Sequence, residues 1–206
     1  MRDRLNHSLR HLPTWVIYLL GALPAPWLFY QGLTGGLGVE PIKALEHEYG
    51  KLALQLLVLG LAVTPLRKHV GLNLLKFRRA LGLLCFFYVS CHLAVWLVLD
   101  VQLPGQIWAD IVKRPYITIG MAGFVLLLPL ALTSNNRSIR RLGRSWRKLH
   151  RAVYAAGLLG ALHYVILVKG FQFEPVIYLT LTVGLLFLRL PFDRLSAFLR
   201  PLRQRA

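Results

Sequence analysis

The chain has 206 residues, 56% of them hydrophobic, and 25 basic side chains against eight acidic ones give it a formal charge of +17. So apolar a composition exceeds what a soluble domain of this length needs for its core, which excludes a soluble globular enzyme and fits membrane-spanning helices. The charge would suit nucleic acid, but the basic residues are segregated in the pattern of a membrane protein, and nucleic acid is excluded as a partner.

A basic arm with Arg2, Arg4, Arg10, His7 and His11 precedes six apolar runs of about spanning length. They are Trp15 to Tyr30, Leu52 to Leu66, Ala80 to Leu99, Tyr116 to Thr133, Ala152 to Val168 and the shorter Pro175 to Leu190. Lipid leaves an open backbone without partners, so each run is predicted to be helical. The fold class is therefore all-α, a polytopic membrane bundle of about six transmembrane helices. Residues 1–206 form one domain. Pro24 and Pro26 predict a kink in the first run. That run has no small-residue cleavage site and is retained as a span.

Placing both termini in the cytoplasm assigns 20 of the 25 basic residues and two of the eight acids to the inner side, about +18 against about −1 outside. The inner cations include Arg67, Lys68, Lys76, Arg78 and Arg79, the arginine-rich loop around Asn135 to Ser145, and Arg189, Arg194, Arg200, Arg203 and Arg205. Outside stand Lys43, Lys51, Lys113, Arg114 and Lys169, with Glu40, Glu46, Glu48, Asp100, Asp110 and Glu174. The basic face would attract anionic membrane lipid or an acidic cytosolic partner. Cys85 and Cys91, six residues apart on one helix, project about 120° apart and cannot pair, so they read as apolar filler.

His92, His150 and His163 sit within or at the edge of apolar runs, where an ionisable side chain is a functional candidate. His92 precedes Asp100 by eight residues, about 12 Å from the outer boundary, and His163 precedes Lys169 by six, about 9 Å from it. Two neutral imidazoles at one depth on different helices are the geometry for axial ligation of a b-type haem. Gly157, Gly160 and Ala161 would let a flat macrocycle approach His163, although the same spacing marks ordinary helix packing.

His150 lies about 20 Å along the helix from His163 and about 140° around it, so one uniform face cannot present both. The positions opposite it on the third run hold Arg78 and Arg79, which could pair with haem propionates or a flavin phosphate but cannot ligate iron. His150 is either a ligand of a second, inner haem or a hydrogen-bonding residue toward lipid or quinone. His69 is the only other imidazole nearby. His47, in Glu46-His47-Glu48, could meet a haem edge or an outer partner, or simply start a helix. Val101 to Arg114 is amphipathic, with Trp108 at the interface, and reads as an outer docking surface or an interfacial anchor. There is no phosphate-binding glycine loop, nucleophile elbow or zinc signature.

Thr34 to Arg67 (TGGLGVEPIKALEHEYGKLALQLLVLGLAVTPLR), Arg78 to Asp100 (RRALGLLCFFYVSCHLAVWLVLD), Lys113 to Ser134 (KRPYITIGMAGFVLLLPLALTS) and Trp146 to Tyr164 (WRKLHRAVYAAGLLGALHY) resemble the MsrQ family, formerly YedZ. That family lies in the ferric-reductase-like transmembrane superfamily, with the NADPH oxidases. The resemblance implies a haem-binding subunit of a bacterial inner membrane that passes electrons to a periplasmic molybdenum-containing methionine-sulfoxide reductase. It implies that His92, His150 and His163 match the family's haem ligands. FMN, and electrons from the quinone pool or a cytosolic flavin reductase, come with the resemblance; no motif here places a flavin. The chain departs from NADPH oxidases in having no nucleotide-binding domain, so its donor is separate. It has Arg78 where a fourth haem histidine would stand, which leaves the count at one haem or two. The rival readings are a stand-alone ferric or quinol reductase and a proton or solute channel with the histidines as relay.

Overall fold

The computed structural model describes residues 2–168 and 170–189, and all regular structure among them is helical. In chain order the helices are α1 (Arg2–His11), α2 (Thr14–Ala22), α3 (Pro24–Thr34), α4 (Pro41–Pro65), α5 (Arg78–Val95), α6 (Pro104–Lys113), α7 (Pro115–Leu132), α8 (Asn136–Leu142), α9 (Arg144–Leu149), α10 (Ala152–Leu167) and α11 (Phe173–Phe187). Wider π turns over Leu66–Val70 and Trp96–Val101 prolong α4 and α5.

All six apolar runs form helices among their described residues. Among the described residues four stretches are long and apolar enough to cross a membrane: Thr14–Thr34, Pro41–Val70, Leu75–Val101 and Pro115–Leu132. The fifth and sixth runs give the shorter α10 and α11, of 16 and 15 residues. The molecule is an all-α membrane bundle, with apolar side chains such as Leu20, Trp27, Leu59 and Val125 on its outer surface, where a soluble protein would be polar. Leu190, Lys169, Arg194, Arg200, Arg203, Arg205 and the carboxyl terminus lie outside the described residues.

Short connections make sequential helices neighbours. α4 packs along α5, α5 meets α7, α7 packs along α10 and α10 closes back on α4, while α11 covers the seam between α10 and α4. Buried Leu54, Leu57, Cys85, Leu127, Leu130 and Ala156 join these four helices at the centre. α2 and α3 lie outside this ring, on α5 and α4.

The first span breaks at Leu23, as its prolines predict. Pro24 and Pro26 have no N–H to continue the ladder. Two tyrosines from the ring supply donors at the break: Tyr88 donates to the Gly21 carbonyl and Tyr49 to the Ala25 carbonyl, each at 2.7 Å. Gly21 approaches Leu84 so closely that a side chain there would collide with it.

The arginine-rich segment expected as a loop is instead helical, forming α8 and α9. Asn135 caps α8 by accepting a bond from the Ser138 N–H at 2.8 Å, and Gly143 turns the chain at φ +51°. Cys85 and Cys91 are unpaired, as expected.

The ion pairs among the described residues are all on the outer side: Lys43–Glu40 at 2.9 Å, Lys51–Glu174 at 2.6 Å and Arg114–Asp110 at 3.2 Å. The described inner cations have no acidic partner. α6 lies at the outer edge with Ile107 and Ile111 packed on Trp96, Val101 and Ile117, and with Trp108 exposed on its other side. With Gln106 and Lys113 exposed beside Trp108, the helix is amphipathic and suits an interfacial position.

Tyr88→Phe leaves the Gly21 carbonyl without a donor, and Tyr49→Phe removes the side-chain donor from the Ala25 carbonyl. Each should cost about 1 kcal/mol, seen as a lower Tm in detergent with helix content unchanged.

Candidate cofactor site

The two outer histidines come together. His92 on α5 and His163 on α10 have ring centroids 6.2 Å apart and ring planes at 80°. They reach this position by the same device on two helix pairs. The Nδ1–H of His92 donates to the Glu46 carbonyl of α4 at 2.9 Å, and that of His163 to the Tyr116 carbonyl of α7 at 2.7 Å. A carbonyl can only accept, so the proton of each neutral ring is on Nδ1 and the lone pair is left on Nε2. Neither Nε2 has a hydrogen-bond partner among the described residues.

A glycine makes each approach feasible. In a helix the residue four positions after a carbonyl stands directly over it. Four residues beyond Glu46 is Gly50, and four beyond Tyr116 is Gly120. A Cβ at Gly50 would lie 3.1 Å from Nδ1 of His92, and one at Gly120 only 2.9 Å from Nδ1 of His163. Neither glycine was singled out from sequence. Their signal is a glycine in the first turns of an apolar helix that precedes a histidine-bearing one, and it acquires meaning only once the helices are paired.

The small residues that were singled out have other neighbours. Gly157 meets Leu61 and Thr182, so it serves the packing of α10 on α4 and α11. Ala161 is fully buried in the core. Gly160 alone of the three lines the cavity in which the histidines stand.

That cavity, of about 520 Å³, is enclosed by α4, α5, α7 and α10. Its walls are apolar, with Leu54, Val89 and Phe124, and its outer mouth carries His47, Lys51, Arg114 and Glu174. His47 is exposed at the rim. Among the described residues no group of three or more His, Cys, Asp or Glu side chains gathers around a possible ion. Two imidazoles without a third protein donor cannot satisfy a bare buried ion. They fit a metal that brings its own in-plane ligands. With metal–nitrogen bonds of about 2 Å and a ring centroid about 1 Å from its Nε2, two imidazoles on opposite sides of one metal stand about 6 Å apart. The observed separation agrees.

A second cavity of about 590 Å³ lies below, toward the inner side, and holds Arg78, Arg79, Arg147, Arg151, Trp146 and His150. Leu57, Cys85 and Leu127 line both cavities and form the waist between them. His150 is not on α10 but in the turn before it, so rotation along one uniform helix does not describe its relation to His163. Its ring stacks on Trp146 with centroids 3.9 Å apart, and its Nε2 bonds the Thr133 hydroxyl at 3.0 Å. Thr133 also accepts the Trp146 indole N–H on its carbonyl at 2.9 Å. His150 therefore helps to fasten the α9–α10 turn to the end of α7. Arg79 donates to Asn136 at 2.9 Å, while Arg78 makes no hydrogen bond among the described residues. His69 does not line this cavity.

Desolvation, and next to it the charge of Arg78, hold the His150 pKa below its ordinary value. The unfolded chain then binds this proton more tightly than the folded one. Stability is complete above the ordinary histidine pKa and falls as the pH drops below it. Acid unfolding between about pH 6.5 and 5 should be steeper for the parent protein than for His150→Gln, measured by thermal melts across that range.

Residues 49–161 match the ferric reductase like transmembrane component family. The chain is 51% identical over 177 residues to the protein-methionine-sulfoxide reductase heme-binding subunit MsrQ of Brucella anthropi, covering 85% of this chain and 80% of that one. The MsrQ of Agrobacterium fabrum is 52% identical over 177 residues, 85% of this chain and 82% of the relative. That of Brucella ovis is 51% identical over the same share of this chain. No solved structure matches.

Proposed function

The chain belongs to the MsrQ family of ferric reductase like transmembrane proteins, and we propose that it is the haem-binding subunit that carries electrons across the membrane to a protein-methionine-sulfoxide reductase. The observation that carries this is the pair of imidazoles at 6.2 Å, each with Nδ1 bonded to a carbonyl and Nε2 free.

His92 and His163 would hold one b-type haem in the outer cavity. The Glu46 and Tyr116 carbonyls hold the proton on Nδ1 and raise the basicity of the ligating nitrogens. Gly50 and Gly120 give the rings room to tilt onto those carbonyls, and Leu54, Val89 and Phe124 keep water from the site. Held by both histidines, a haem would supply a one-electron couple without an open position, suited to passing electrons rather than binding oxygen.

The count is one. In the inner cavity His150 already bonds Thr133, and Arg78 and Arg79 stand where an opposing ligand would be needed. That cavity is assigned instead to FMN, with Arg78 and its neighbours Arg147 and Arg151 available to a phosphate and Trp146 to an aromatic ring. Electrons enter there from the quinone pool or a cytosolic flavin reductase. The acceptor is a periplasmic molybdenum-containing catalytic subunit, which performs the chemistry on the sulfoxide. The membrane is the bacterial inner membrane, with the paired outer charges facing the periplasm, and the chain works as one haem-binding unit.

Protein purified in detergent should give about one haem per chain by pyridine haemochrome, with a reduced-minus-oxidised spectrum of a six-coordinate b-type centre. His92→Ala, His163→Ala and Gly120→Val should each lose it, whereas His150→Ala should retain it. A chain without haem would overturn the reading in favour of a channel, and about two haems with partial loss in His150→Ala would replace the single-haem count. FMN should co-purify, and Arg78→Gln should lower its retention about tenfold without loss of haem, as expected for one charge-assisted phosphate contact.

A further inference from the structure

The histidines of the amino-terminal arm take no part in either cavity. α1 carries His7 and His11 four residues apart, so both project from one face of the helix. Both rings are exposed. Their Nε2 atoms are 3.2 Å apart, with ring centroids at 4.6 Å and ring planes at 64°. Metal–imidazole bonds are about 2.0–2.1 Å, so nitrogens at this spacing would bracket a metal ion at an angle of about 100°. That angle lies between the right angle of square-planar or octahedral ligation and the tetrahedral angle.

We propose that His7 and His11 form a two-imidazole chelate for a divalent transition-metal ion of the copper, nickel and zinc class. Imidazole suits these ions, and magnesium and calcium prefer oxygen. An exposed site lets water complete the coordination, which the buried pair at His92 and His163 has no means to do. Without metal the two rings share one N–H···N bond. With it both Nε2 lone pairs face the ion: the ring that donated moves its proton from Nε2 to Nδ1 by exchange with water, the other already holds its proton on Nδ1, and the pair gains or loses none overall. Asp3, one turn before His7 on the same face, offsets the repulsion from Arg4 and Arg10.

The placement of α1 gives such a site a consequence. Asn6, next to His7, donates to the Gly71 carbonyl and accepts from the Asn73 N–H, each at 3.0 Å. Lys76 donates to the carbonyls of Arg10 and Leu12 at 2.7 and 2.6 Å. Lys76 also lines the inner cavity. An ion bridging His7 and His11 fixes the last turn of α1, and with it the seat of Lys76 on the cavity wall. Metal binding to the arm thereby stabilises the connection from α4 to α5.

The test is a copper(II) titration of the haem-loaded, full-length protein in detergent, followed by electron paramagnetic resonance. The parent should show one tightest site with hyperfine structure from two nitrogens. His7→Ala and His11→Ala should each weaken that site about tenfold or more, with the haem spectrum unchanged. Zinc(II) should raise the Tm of the parent and not of the double variant. Equal copper affinity in the parent and both variants, or a tightest site without two imidazole nitrogens, overturns the proposal.

Discussion

A neutral imidazole inside an apolar bundle must place its N–H on an acceptor, and that requirement organises this molecule. The nearest acceptors are carbonyls already engaged in a neighbouring helix. Reaching one means coming down onto the helix surface where the side chain four residues later would stand. Gly50 and Gly120 clear that surface, and His92 and His163 bond the carbonyls of Glu46 and Tyr116. The same bond decides tautomer, ring orientation and depth at once. It is made twice, across α4–α5 and across α7–α10, and the second helix of each pair supplies the ring. The four-helix ring can be regarded as two such pairs facing each other, with the two imidazole rings 6.2 Å apart between them.

The inner half of the ring follows different rules. There the imidazole is held through Nε2 by Thr133 and stacked on Trp146, and the surrounding charge is that of arginines without carboxylate partners. Outside, each of three cations has an acidic partner within 3.2 Å. One end of the bundle is therefore close to neutral and the other strongly positive. An electropositive cavity with an aromatic wall suits a phosphate-bearing planar molecule, and a neutral one with two free imidazoles suits a flat metal complex. The division of labour proposed for the two cavities rests on that contrast.

The level of His92 and His163 was legible in the sequence because helical rise converts residue counts to depth without knowledge of the fold. The kink at Leu23 was legible too, since proline acts locally. The seats of the two rings were not, because Gly50 and Gly120 lie on other helices and become significant only through tertiary pairing. For the same reason Gly157 and Ala161 looked like cofactor contacts but are helix contacts: small residues on an apolar helix do not reveal which neighbour they admit. His150 was misplaced on a continuous helix because the turn that precedes Ala152 contains no proline or glycine to announce it. The segment from Asn135 to Ser145 looked like a loop because arginines carry no apolar period, yet an Asn cap and one glycine turn suffice to make it two short helices.

The waist of Leu57, Cys85 and Leu127 has a consequence of its own. Each of these side chains is over nine-tenths buried, and among the described residues no charged group joins them where the two cavities meet. Packed hydrocarbon gives water and ions no partners, whereas an electron can tunnel through it. The plug is thus an insulator for protons and a conductor for electrons. A transmembrane voltage is worth about 2.3 kcal/mol per elementary charge for each 100 mV. In the direction of transfer proposed above, an electron moving outward, from the negative to the positive side, would be driven by the resting potential.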